Sequence, residues 1–162
     1  MLPALLLIAC TPDDGATDGV IADSGARDSG DSGGSVGPAT LALAFAMDGD
    51  LIEDMQEAPI GVFRGSIYAE ADASAIGPVE GASSLVDFVS AEVDLSADGG
   101  PSGTAWTSEP IEAQTVWILG CLDTDDTDCE CGDPITIPND NKVVLTGCPN
   151  SLTVQMEMLH PC

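Results

Sequence analysis

Positive charge is nearly missing from this chain of 162 residues: three strong bases, Arg27, Arg64 and Lys142, stand against 28 acids, for a formal net charge of -25. Such a surface repels phosphate backbones and anionic lipid headgroups alike. Nucleic acid is thereby excluded as a partner, and the plain use of the charge is to keep the molecule soluble and monomeric. Histidine occurs once, as His160 beside a proline. There is no Gly-x-Ser-x-Gly elbow and no glycine loop of the kind that cradles phosphate. No pair of carboxylates is singled out for glycoside hydrolysis. These gaps predict a protein that is not an enzyme. Aromatic residues make up 4% of the chain, too few for a ligand platform, so Trp106 and Trp117 are expected as large core anchors. No apolar run approaches the about 20 residues that span a bilayer. The length suits one domain with appendages.

What the chain does have is six cysteines, odd for a reducing compartment and ordinary for an exported protein. The first of them closes the stretch MLPALLLIAC, in which a short apolar run from Leu5 to Ala9 is followed by Cys10. Leu7-Ile8-Ala9-Cys10 resembles the lipobox of bacterial lipoproteins: an aliphatic residue, a tolerant position, a small residue, then cysteine. The resemblance implies that residues 1–9 are a signal peptide, that Cys10 is alkylated with diacylglycerol, and that cleavage leaves it as the first residue. Acyl chains such as palmitate would hold such a protein stably, since two or more are enough where one is marginal. Thr11, rather than aspartate, after the modified cysteine resembles outer-membrane sorting, so an outer-membrane location in the cell envelope is expected.

From Thr11 to Pro38 there are six aspartates, seven glycines and no aromatic residue, with Asp-Ser-Gly repeated at Asp23, Asp28 and Asp31. A stretch so poor in apolar surface does not offset the entropy of ordering, which predicts a disordered acidic linker over residues 10–38. As a flexible coil it would reach about 30 Å and hold a domain clear of a membrane.

Composition changes at Ala39. In ATLALAFAM the bulky Leu41, Leu43, Phe45 and Met47 alternate with alanines, the two-residue period of a strand with one heavy face. Further strand patterns run over Gly61–Ala69, Leu85–Leu95, Thr104–Thr107, Gln114–Cys121, Lys142–Thr146 and Leu152–Met158. Turn signals at Asp98-Gly99-Gly100-Pro101 and Gly147-Cys148-Pro149-Asn150 separate them. Asp48-Gly49-Asp50 also reads as a turn. Seven short strands over residues 39–162, without a long helix, predict an all-β fold, an antiparallel Greek-key sandwich. Within it, Gly65-Ser66-Ile67-Tyr68 followed by Gly77-Pro78-Val79-Glu80-Gly81-Ala82 resembles the opening of the carboxypeptidase-regulatory-like, transthyretin-like sandwich modules. That likeness implies an accessory or adhesion module and supplies no catalytic residues.

The most concentrated chemistry lies in CLDTDDTDCECGDP, residues 121–134, with six carboxylates and three cysteines. If its flanking strands are neighbours, Cys162 runs off their end beside this loop. It can then reach Cys121, Cys129 or Cys131, because a bridge needs α-carbons within about 7 Å. Cys121, Cys129, Cys131 and Cys162 are therefore the disulfide candidates, in a pairing that spacing does not settle. With Cys10 acylated, Cys148 at the far end of its hairpin is left as the free thiol. A structural zinc held by Cys129, Cys131, His160 and Cys162 has the right ligand number, but spacings shorter than a zinc knuckle's. Calcium suits the carboxylates better, with Asp123, Asp125, Asp128 and Asp133 as candidate ligands. Counted from Asp123, though, the EF-hand's glycine and glutamate positions hold Asp128 and Pro134. A stapled, solvated turn is the default. Two functions follow as expectations. One is a non-catalytic lipoprotein anchored to a membrane through Cys10 and presenting its sandwich to a protein or glycan partner. The alternative is a calcium-binding β-sandwich module that uses the acidic loop.

Overall fold

The computed structural model describes residues 37–55, 57–96 and 101–162. The expected signal peptide, Cys10, the linker up to residue 36 and most of the Asp98-Gly99-Gly100-Pro101 turn lie outside them.

All seven strands expected from the alternation are present: β1 (Leu41–Met47), β2 (Ile60–Ala69), β5 (Val86–Asp94), β6 (Trp106–Thr107), β7 (Thr115–Asp123), β9 (Lys142–Val144) and β10 (Asn150–Leu159). Three short ones join them, β3 (Ala73–Ser74), β4 (Gly77–Pro78) and β8 (Pro134–Thr136). The fold is all-β, with one six-residue helix, α1 (Gly49–Asp54), among the described residues. Asp48-Gly49-Asp50, which reads as a turn, begins this helix: the Asp48 carboxylate accepts from the Asp50 N–H and caps it. Leu51, Ile52 and Met55 lean on the core.

One sheet in the order β5-β2-β7-β8-β10-β1-β6 carries the core, with β9 paired to β7, while β3 and β4 form a separate two-stranded hairpin. The sheet curls until its ends nearly meet. The Ala91 N–H of β5 donates to the Ala105 carbonyl just before β6 (2.9 Å), and Phe88 stacks on Trp106 across the same seam at 4.2 Å. Near-closure removes most of the free edge that an open sheet would expose. The expected antiparallel pairing is interrupted once, where β1 and β10 lie parallel in an unbroken register from Leu41↔Asn150 to Met47↔Met156. Parallel strands need a long crossover, and here the rest of the domain is that crossover.

The heavy face of β1 points inward as its period requires, with Leu41, Leu43, Phe45 and Met47 all buried. A line of stacked rings runs through the interior from Phe45 to Phe63 (4.6 Å), Phe88 (5.8 Å) and Trp106. Gly65 and Gly120 face each other across β2 and β7. A β-carbon on Gly120 would stand 2.2 Å from the Arg64 carbonyl oxygen and 2.8 Å from the Phe63 ring, so the absence of side chains here is what lets that ring lie over the pair. Trp106 closes the seam, as a core anchor should. Trp117 is buried but does not belong to this core: the alternation of β7 sends Val116 and Ile118 inward and Trp117 outward, under Lys142, whose ammonium lies 5.2 Å from the ring. Its indole N–H has no partner among the described residues.

Asn141, fully buried, joins three segments just before the chain enters β9. Its Nδ2 donates to the carbonyls of Ile137 (3.0 Å) and Gln155 (2.9 Å), its Oδ1 accepts from the Gln155 N–H (2.7 Å), and its own carbonyl accepts from the Ile118 N–H (2.9 Å). Every polar atom of the amide is thereby satisfied, which is what burying it demands.

Candidate functional site

The acidic loop follows the C-terminal end of β7. Register places Arg64 of β2 opposite Cys121 and Val62 opposite Asp123, so the Arg64 side chain emerges beside the root of the loop. Its Nε–H donates to Asp123 Oδ2 at 2.5 Å and its Nη2 to Asp126 Oδ1 at 3.0 Å, while Asp128 Oδ1 lies 3.6 Å from Nε. The Asp123 side chain is 0% exposed, and its other oxygen accepts from the backbone N–H groups of Asp126 (2.8 Å) and Thr127 (3.3 Å). Asp126 and Asp128 both take positive φ, 62° and 71°, a left-handed conformation that aspartate tolerates better than most residues.

Burial by itself would push the Asp123 carboxyl up. The Arg64 hydrogen bond, the loop N–H groups and the guanidinium charge outweigh it and hold the pKa below the ordinary carboxylate value. Arg64 is pushed up in turn, first by its hydrogen bond to Asp123.

Cys121 and Cys129 are bridged with α-carbons 5.9 Å apart, and Cys131 and Cys162 with α-carbons 4.8 Å apart. These are the four cysteines that the sequence groups together. The register of β7, β8 and β10 explains why Cys162 arrives: Ile135 pairs with both Cys121 and Met158. The chain beyond β10 therefore runs past the loop, where Gly132 N–H donates to the His160 carbonyl and His160 N–H to the Asp133 carbonyl. Cys148 is not the free thiol that the cysteine count predicts, since no described cysteine is free. That count took Cys10 out of the tally, and Cys10 lies outside the described residues.

The four carboxylates considered for calcium do not meet at one point. Asp123 and Asp128 turn to Arg64, Asp125 accepts from the Thr127 hydroxyl (2.5 Å), and Asp133, mostly buried, accepts from the Glu130 N–H (2.8 Å). Of the zinc candidates, Cys129, Cys131 and Cys162 are in disulfides and the His160 ring nitrogen lies against the Pro161 carbonyl. Among the described residues no group of three or more histidine, cysteine or acidic side chains is placed to hold a metal ion.

Sequence reasoning missed Arg64. Its signal was there: it is the outward residue between the inward Phe63 and Gly65 on a strand, one of few bases in an acidic chain. It also missed an apolar groove, about 530 Å³ in volume, between the β3–β4 hairpin and strands β7, β8 and β10.

Residues 65–68, which carry part of the transthyretin-like likeness, lie within β2, and residues 77–82 form β4 and the turn after it. No family model matches the chain, no curated protein matches it in sequence, and no solved structure matches it.

Proposed function

We propose that this chain is a non-catalytic, exported lipoprotein, anchored to a membrane by lipid on Cys10 and presenting its β-domain to a protein or glycan partner at the cell envelope. The observation that carries the reading is the pair of bridges that tie the acidic loop down, Cys121–Cys129 to strand β7 and Cys131–Cys162 to the chain beyond β10, because stable disulfides belong to oxidising compartments. The lipobox at residues 7–10 supplies the route to such a compartment, and residues 11–38 supply the leash. The use made of the perturbed carboxylate fits a binding module: Asp123 anchors a loop through Arg64 rather than facing a cleft.

Intact-mass analysis of the native protein, with and without reductant, tests this. The expected result is loss of residues 1–9, a diacylglyceryl or triacyl adduct on Cys10, and a reductant gain of two hydrogens for each loop bridge. Alkylation of the Cys10 sulfur and its use in a disulfide exclude one another. An unmodified full-length chain with every cysteine oxidised would overturn the anchoring.

A further inference from the structure

Of the two bridges that hold the acidic loop, one is shielded and the other is open. Cys121 is 1% exposed, whereas Cys131 and Cys162 are both exposed and both line a pocket of about 310 Å³ between the end of α1 and the loop. A small thiol can reach the bridge there. At Cys121 burial bars the approach. Attack on the exposed Cys129 would have to expel the Cys121 thiolate into the apolar neighbourhood of Leu119 and Ile135, where burial makes a thiolate a poor leaving group.

Charge decides which thiol arrives. The wall of the same pocket carries Asp54, Glu57, Asp125, Glu130 and Asp133, and no lysine, arginine or histidine. None of these carboxylates forms an ion pair among the described residues, where Arg64 is held by Asp123 and Lys142 by Glu70. The attacking species in thiol–disulfide exchange is a thiolate. One that carries a second negative group is repelled by this wall, while one that carries an ammonium group is drawn to it.

We propose that Cys131–Cys162 is a thiol-exchange site selective for small cationic aminothiols, and that its opening releases the acidic loop from the chain beyond β10. The thiolate of one aminothiol attacks a bridge sulfur, the Cys131–Cys162 bond breaks, a mixed disulfide forms, and the expelled cysteine thiolate takes a proton. A second aminothiol thiolate then attacks the aminothiol sulfur of the mixed disulfide, and the remaining cysteine leaves and is protonated in turn. Two electrons thereby enter the bridge, and the two aminothiols depart joined as their own disulfide. The opened loop loses its covalent tie to Cys162, while the Arg64–Asp123 pair and the Cys121–Cys129 bridge keep its root on β2 and β7. The inference goes beyond the anchored binding module and uses neither the lipid on Cys10 nor a partner, so each can fail without the other.

The test incubates the full chain at low salt with three thiols of one length and different charge: cysteamine, 2-mercaptoethanol and 2-mercaptoethanesulfonate. Each rate is divided by the same thiol's rate with an uncharged small disulfide, which removes differences in thiolate fraction. Acid quenching, alkylation and peptide mass mapping read Cys121, Cys129, Cys131 and Cys162 separately. Cys131 and Cys162 are expected to open first, with cysteamine faster than the sulfonate by roughly tenfold and mercaptoethanol between them. Salt at about 1 M should bring the three rates together. Glu57→Gln with Glu130→Gln, at two exposed positions, should narrow the spread at low salt; if that variant folds poorly, the salt titration of the wild type makes the same comparison. The proposal is overturned if Cys131–Cys162 resists all three thiols, if Cys121–Cys129 opens first or together with it, if the normalised rates are equal at low salt, or if their spread survives high salt.

Discussion

Arg64 and Asp123 are 59 residues apart in sequence, yet the guanidinium of one donates to the buried carboxylate of the other at 2.5 Å and ties the root of the acidic loop to the neighbouring strand. Asp123→Asn keeps the shape and removes the charge. Loss of about 1–3 kcal/mol at pH 7 is expected, less than for a fully buried pair because Arg64 stays partly exposed. Calorimetry should show the melting temperature falling by several degrees.

The pair also sets an acid limb. The folded-state pKa of Asp123 lies below its ordinary 3.8. Its contribution is therefore complete above that ordinary value and is lost as pH falls from about 4 through the lower folded one. Asp87, held down first by its hydrogen bond from Ser66, acts in the same window and with the same sign. Thermal melts stepped from pH 6 to pH 2 should steepen below about pH 4 in the wild type and less so in Asp123→Asn. Equal slopes would show that Asp123 does not carry the effect.

Within the loop a guanidinium already occupies the place where the carboxylates of Asp123, Asp126 and Asp128 come closest. A melting scan with millimolar calcium against chelator is expected to show the same midpoint. A ligand specific to the folded state must raise it, so a rise of several degrees would revive a calcium-binding role for residues 121–134.

The two loop bridges differ in span. Cys131–Cys162 closes a separation of 31 residues and Cys121–Cys129 one of 8. Chain-entropy reasoning assigns them roughly 4 and roughly 2.5 kcal/mol. Denaturant titration of Cys131→Ser/Cys162→Ser should therefore show a larger loss than that of Cys121→Ser/Cys129→Ser. The reverse order would mean that the buried packing of Cys121, not loop closure, dominates.

Gly120→Ala is expected to cost more than about 2 kcal/mol, because its new methyl meets the Arg64 backbone oxygen at 2.2 Å and cannot relax as a side-chain clash would. Gly103→Ala, with open space around it, serves as the control and should melt like the wild type.

The sequence revealed the long strands because one-sided burial forces a period of two, and β1 displays it residue by residue. It did not reveal β3, β4 or β8: two or three residues carry no period, and Gly77-Pro78 and Pro134 read locally as breaks. The parallel alignment of β1 with β10 has no local signature, since pairing direction is decided by the rest of the chain. Trp117 shows the limit of judging by size. Its neighbours Val116 and Ile118 claim the inner face, so the indole must take the outer one. The four loop cysteines were legible from strand adjacency, whereas the meeting of Arg64 with Asp123 depends on a register that only the folded sheet supplies.

That β1 leans on β10 also orders events in time. Residues 102–111 bond one edge of β1, but its other edge has no partner until β10, the last described strand, is delivered, so the layer that holds Leu41, Leu43 and Phe45 stays open on that side while everything between is being supplied. Such non-local closure is slow and leaves apolar surface open to aggregation. A chain of this design has reason to be kept extended by a chaperone until its C-terminal residues arrive.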